Sequence, residues 1–140
     1  MGASSYHLGS RARNPRRRLL ASGLQNRPEV LFAYLHGSFA EARPLRDVDM
    51  GVYLSPAGLA AGAVPAYEGT AALDLEALVG LPVDLKVLNL APLSLRYHIS
   101  RGYLLFSGDE PARYAFLEAT WREYFDYYPL LREFYRDITA

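Results

Sequence analysis

The stretch "VLFAYLHGSFAEARPLRDVDMGVYL" (residues 30–54) decides the fold. Two β-rich apolar runs, residues 30–36 and 48–54, flank a polar segment, and each has the length of an ordinary strand. The first run ends at Gly37-Ser38, and the second is opened by two acids one residue apart, Asp47 and Asp49. Successive side chains of a strand point to opposite faces, so Asp47 and Asp49 share one face while Val48, Met50, Val52 and Leu54 share the other. Four apolar residues on one side fix that side as the buried one. Two like charges aimed together at a strand mouth repel each other. A metal ion, a basic partner or water must offset that cost.

Working outward, "PVDLKVL" (residues 82–88) predicts a third strand over 83–88, with Val83, Leu85 and Val87 on one face and Asp84 and Lys86 on the other. If that strand lies beside the second and shares its core, Asp84 emerges next to Asp47 and Asp49. Three carboxylates at one spot require a hard divalent cation, and Mg²⁺ accepts such oxygen ligands together with phosphate oxygens. Gly37 at a strand end lets the backbone approach a phosphate closely. A short helix starting near Ser38 would offer free N–H groups, and the seryl hydroxyl one more hydrogen bond. A phosphate cradle facing a metal cradle is the apparatus of phosphoryl or nucleotidyl transfer. Arg43 and Arg46 either contact phosphates or balance the acids.

The rest of the chain alternates strands and helices. Residues 19–26 read as a short helix broken at Arg27-Pro28. Residues 65–79 read as a helix with Leu73, Leu75, Leu78 and Val79 on its apolar side, and residues 91–102 as another, with proline near its start and glycine past its end. Residues 103–106 form a fourth short strand. Residues 112–138 carry Tyr114, Leu117, Trp121, Tyr124, Tyr128 and Leu131 at spacings of three and four, a helical stripe that Pro129 is expected to kink or divide. The stripe reads chiefly as core, with residues 124–135 the candidate surface for a partner or for self-association. The class is therefore α/β (α+β): a small mixed central sheet of about four strands flanked by helices, with a long C-terminal helix.

Composition narrows the function. At 140 residues, 51% hydrophobic and 21% charged, the chain has the balance of one folded domain. It has no cysteine, which excludes disulfides and thiolate metal sites and makes a cytoplasmic setting the expectation. No apolar run approaches the roughly 20 residues of a membrane-spanning helix. Residues 1–18 hold five arginines and no acid and read as a disordered basic tail, leaving 19–140 as the domain. That remainder carries ten basic residues against fifteen acidic ones, a net of −5, which disfavours nucleic acid as a partner. His36 reads as a half-buried strand histidine and His98 as structural or solvent-facing; no histidine pair has metal-ligand spacing.

"HGSFAEARPLRDVDMGVYL" with "VDLKVLN" resembles the minimal nucleotidyltransferases of the DNA polymerase β-like superfamily, which carry Gly-Ser, an acidic pair and a distal aspartate. "APLSLRYHISRGYLLFSGDE" and "REYFDYYPLLREFY" are similar to the C-terminal half of MNT antitoxins, the partners of HEPN ribonuclease toxins. The resemblance implies a nucleotidyltransferase fold, ATP as substrate and Mg²⁺ as cofactor, in two ions. It also implies transfer of AMP to tyrosine hydroxyls of the toxin, which silences it. Under it Gly37, Ser38 and Arg46 would bind the nucleotide and Asp47 and Asp49 the metal. Asp84 would help hold the metal nearer the attacking hydroxyl. Eight residues (39–46) separate Gly-Ser from the acidic pair, fewer than the family usually has.

Overall fold

The computed structural model describes residues 10–37, 47–57 and 59–139. Its strands are β1 (Val30–His36), β2 (Val48–Leu54), β3 (Val83–Val87) and β4 (Tyr103–Ser107); its helices are α1 (Ser10–Gln25), α2 (Val64–Val79), α3 (Leu93–Ser100) and α4 (Glu110–Thr139). The sheet runs in the order β3-β2-β1-β4. β1 pairs antiparallel with β2 and β4, and β2 pairs parallel with β3, so the sheet is mixed as expected.

The central place of β1 explains its unbroken apolar run. Ala33 and Leu35 face a core shared with Leu20 and Leu24 of α1 and with Ala71, Leu75 and Val79 of α2. Phe32 and Tyr34 face the opposite layer, with Ile99 of α3 and Phe116 of α4. Val48, Met50, Val52 and Leu54 lie in the first core, all buried, as the alternation of β2 demands. Gly51 points to the second layer, where a Cβ would stand 2.7 Å from Ile99 Cγ2, so the missing side chain lets α3 close on the sheet. β3 is an edge strand, and its outward N–H groups need partners. Glu76 and Glu68 of α2 supply them, accepting from the amides of Val83 (3.0 Å) and Val87 (2.9 Å).

Four expectations need correction. α1 begins at Ser10, so much of the stretch read as a disordered basic tail is helical. The Arg16 Nε donates to the carbonyl of Val79 (3.1 Å) at the C-terminal end of α2, and the Arg17 guanidinium lies 4.1 Å from the centre of the Tyr103 ring, so these cations have docking sites on the fold. Residues 1–9 lie outside the described residues. The buried face of α2 is Ala71, Leu75 and Val79, at i, i+4 and i+8, while Leu73 and Leu78 are exposed. α4 is not divided at Pro129, and it starts from Asp109, whose carboxylate accepts from the Ala112 amide (3.0 Å). Finally, its aromatic stripe is not core. Phe116 and Thr120 are buried, whereas Tyr114, Trp121 and Tyr128 are exposed. Leu131 lies where side chains are not described.

Candidate nucleotide and metal site

Three neighbouring strands deliver the site. His36 in β1 stands opposite Asp49 in β2, and Asp49 stands opposite Asp84 in β3. Residues 36, 49 and 84 therefore form one row across the sheet, on the face that also carries Phe32 and Tyr34. The row sits at the open end of β2, with Asp47 just before the strand. β3 shows the predicted alternation, with Val83, Leu85 and Val87 buried and Asp84 and Lys86 exposed. The inference that Asp84 lies beside Asp49 thus follows from parallel pairing of two strands that share one apolar face.

Gly37 closes the row. Its φ of +74° is left-handed, and a Cβ there would come within 2.6 Å of Asp49 Oδ2. Only glycine fits both conditions without strain. The backbone after β1 therefore turns directly over the Asp49 carboxylate.

Charge crowding shows in the acid–base behaviour. Burial, and then the charges of Asp47 and Asp84, push the Asp49 carboxyl up to about 6. Burial lowers the His36 pKa, while Asp84 and Asp47 pull it the other way. Among the described residues no three carboxylate or imidazole groups are drawn in tightly enough to hold an ion as they stand. The donor set nonetheless fits a hard cation: Asp47, Asp49 and Asp84 offer oxygen alone, and the charges of Asp47 and Asp84 add to burial in raising the Asp49 carboxyl.

The structure thus brings Gly37, Asp47, Asp49 and Asp84 together. Ser38 and Arg46, with Arg43 and the short helix expected from residue 38, lie outside the described residues. Two neighbours carried less weight in the sequence. His36 shares the acid face because it continues the Phe32-Tyr34 alternation, a signal present in "FAYLH". The Lys86 Nζ lies 3.7 Å from Asp84 Oδ1. The sequence signal for it was its place two residues after Asp84 on the same face. A cavity of about 530 Å³ lies elsewhere, over Tyr53 and Ser55, roughly 13 Å of strand beyond Asp49.

A second surface stands apart from the acids. Tyr97 of α3 stacks on Tyr124 of α4 (3.7 Å between centroids), and Trp121 Nε1 donates to Ser100 Oγ (2.9 Å), which donates in turn to the Tyr97 carbonyl (2.7 Å). These contacts fasten α4 to α3. Trp121, Phe125, Tyr127, Tyr128 and Leu130 are left exposed beyond them. His98 is exposed and lies edge-on to Tyr97 and Tyr124. No helix among the described residues is long and apolar enough to cross a membrane.

Comparison with known proteins agrees with this geometry. Residues 19–111 match the family model described as "Polymerase beta, Nucleotidyltransferase". No curated protein sequence matches the chain. Among solved structures, a chain of the tri-AMPylated Shewanella oneidensis HEPN toxin in complex with MNT antitoxin superposes with a TM-score of 0.68 at 20% identity, covering 91% of this chain and 99% of that one. A chain of a toxin–antitoxin complex with AMP-PNP gives 0.70 at 21% identity, covering 89% and 98%. A chain of the toxin–antitoxin pair MntA–HepT gives 0.64 at 20%, covering 94% and 100%. At such identities the likeness establishes a shared fold.

Proposed function

This chain belongs to the polymerase β nucleotidyltransferase family, and from that premise we propose that it is an antitoxin that transfers AMP from ATP to tyrosine hydroxyls of a HEPN ribonuclease toxin. The observation that carries the reading is the register His36–Asp49–Asp84 with Asp47 beside it and the Gly37 turn above. The similarity to chains of toxin–antitoxin complexes, one tri-AMPylated and one with AMP-PNP, supports the choice of partner and nucleotide.

In this reading Asp47, Asp49 and Asp84 hold Mg²⁺. When bound, Mg²⁺ neutralises triphosphate charge and makes the α-phosphorus easier to attack. The chain's own groups do the rest. The Gly37 turn brings main chain close to the phosphates, and Ser38 and Arg46 act there as well. The row of carboxylates on stiff strands fixes where the α-phosphate lies relative to an entering hydroxyl, the positioning that phosphoryl transfer chiefly requires. Asp84, on the edge strand, faces the open side of the sheet and accepts the hydroxyl proton. The hydroxyl oxygen bonds to the α-phosphorus, the bond to the bridging oxygen breaks, and pyrophosphate leaves with that electron pair.

A second reading is favoured by the exposed aromatic end of α4, from Trp121 to Leu130: the antitoxin blocks its toxin by contact, without chemistry. Growth rescue separates the two. Wild type should rescue cells expressing the toxin, and Asp47→Asn/Asp49→Asn should not. Equal rescue by both would leave the contact reading and remove the catalytic one.

A further inference from the structure

Of the fifteen basic residues of this chain, fourteen are arginine; Lys86 is the one lysine, and it stands beside Asp84. It projects from the same face as Asp84 and lies opposite Gly51. Lys86 also walls a cavity of about 250 Å³ where the edge strand β3 meets α2 and α3. Val64, Leu90, Pro92 and Leu95 make the cavity apolar, and Glu68, its acid, is held by the amide of Val87. Sites for drug-sized ligands measure roughly 300–1,000 Å³, so this volume suits a single side chain. Gly37 ends a strand two places away across the sheet, about 10 Å from β3. The phosphate end and the Lys86 end of the site therefore lie on opposite sides of Asp49.

We propose that this cavity is the acceptor subsite: it takes an aromatic side chain of a polypeptide acceptor, with Lys86 beside the hydroxyl oxygen that attacks. The inference rests on the nucleotidyl-transfer reading above and adds the place and chemistry of the acceptor. The phenol oxygen gains its bond to the α-phosphorus, pyrophosphate departs with the electron pair of the broken bond, and the phenol proton passes to Asp84. Lys86 offsets the charge that grows on the oxygen. An ammonium suits this task because it is a compact charge on a flexible stem, whereas guanidinium spreads its charge over a planar fork.

A single lysine makes the test direct. Acylation of Lys86 by an amine-reactive reagent is followed by mass spectrometry, alone, with Mg²⁺ and AMP-PNP, and with the purified HEPN toxin. The toxin should slow acylation about tenfold and the nucleotide less than about twofold. Lys86→Met should lower kcat/KM for the toxin about tenfold, mostly through kcat, Lys86→Arg should restore part of it, and AMP-PNP affinity by calorimetry should stay unchanged. Leu90→Asp, at a position 55% exposed and so safe for the fold, should instead weaken toxin binding and raise KM. Absence of protection by the toxin, or equal protection by AMP-PNP, overturns the subsite. Should the toxin protect Lys86 while the wild type transfers no AMP, the subsite stands as a docking site and the catalytic reading falls.

Discussion

Asp49 is held where its charge is costly, and replacing it should stabilise the metal-free protein. Its carboxyl is pushed from an ordinary 3.8 up to about 6 by burial and by Asp47 and Asp84. Two units correspond to about 3 kcal/mol for a sealed group. Asp49 is only half-buried, and solvent screening reduces the figure to about 1 kcal/mol. The folded carboxyl binds its proton more tightly than the unfolded one, so folding is favoured by the protonated form. That contribution is whole below about pH 4 and is lost as the pH rises to about 6. Asp49→Asn removes the titration. In urea unfolding with a chelator present, the variant should match wild type at pH 4 and exceed it by about 1 kcal/mol at pH 8, near 3 °C in Tm. Added Mg²⁺ should stabilise wild type and leave the variant nearly unmoved. A variant no more stable than wild type at pH 8, or a difference that ignores pH, would refute the reasoning.

Other perturbations test the frame around the site. Gly37→Ala should cost about 1–2 kcal/mol for its left-handed backbone and, by crowding Asp49, lower AMP transfer more than tenfold; urea unfolding and a transfer assay read the two effects. Gly51→Ala, facing Ile99 at 2.7 Å, should lose about 1–3 kcal/mol in urea unfolding through overpacking. Trp121→Phe removes the hydrogen bond to Ser100 and should cost about 1 kcal/mol, visible as a lower thermal midpoint. Glu68→Ala/Glu76→Ala uncovers two amides on the β3 edge, and size-exclusion chromatography should then show more self-association than wild type does at the same concentration.

Much of the site was legible because strands obey a period of two. Alternation alone put Asp47 and Asp49 on one face, and "VDLKV" put Asp84 and Lys86 opposite an apolar set that had to join the same core. That β3 lies beside β2 could only be assumed from sequence, and the parallel pairing is a finding of the structure, since both depend on chain path between residues 54 and 83. Helical stripes proved less readable. Six apolar or aromatic residues at helical spacing form a stripe along α4, but the residues it buries are Phe116 and Thr120, because burial is decided by what packs against the helix. The arginines of α1 were misread for a related reason. A basic run looks solvated until a carbonyl such as that of Val79, or a ring such as Tyr103, is folded against it. The outward amides of β3 likewise found Glu68 and Glu76 on α2, a pairing across elements that no local pattern announces.

The central claim, that the Asp47–Asp49–Asp84 face transfers nucleotide to a protein hydroxyl, is tested most directly by incubating the protein and its HEPN toxin with ATP labelled at the α-phosphate and Mg²⁺. Label should appear on a toxin tyrosine with release of pyrophosphate, and disappear in Asp47→Asn/Asp49→Asn. Wild-type protein that leaves the toxin as unlabelled as that double variant does would contradict the account.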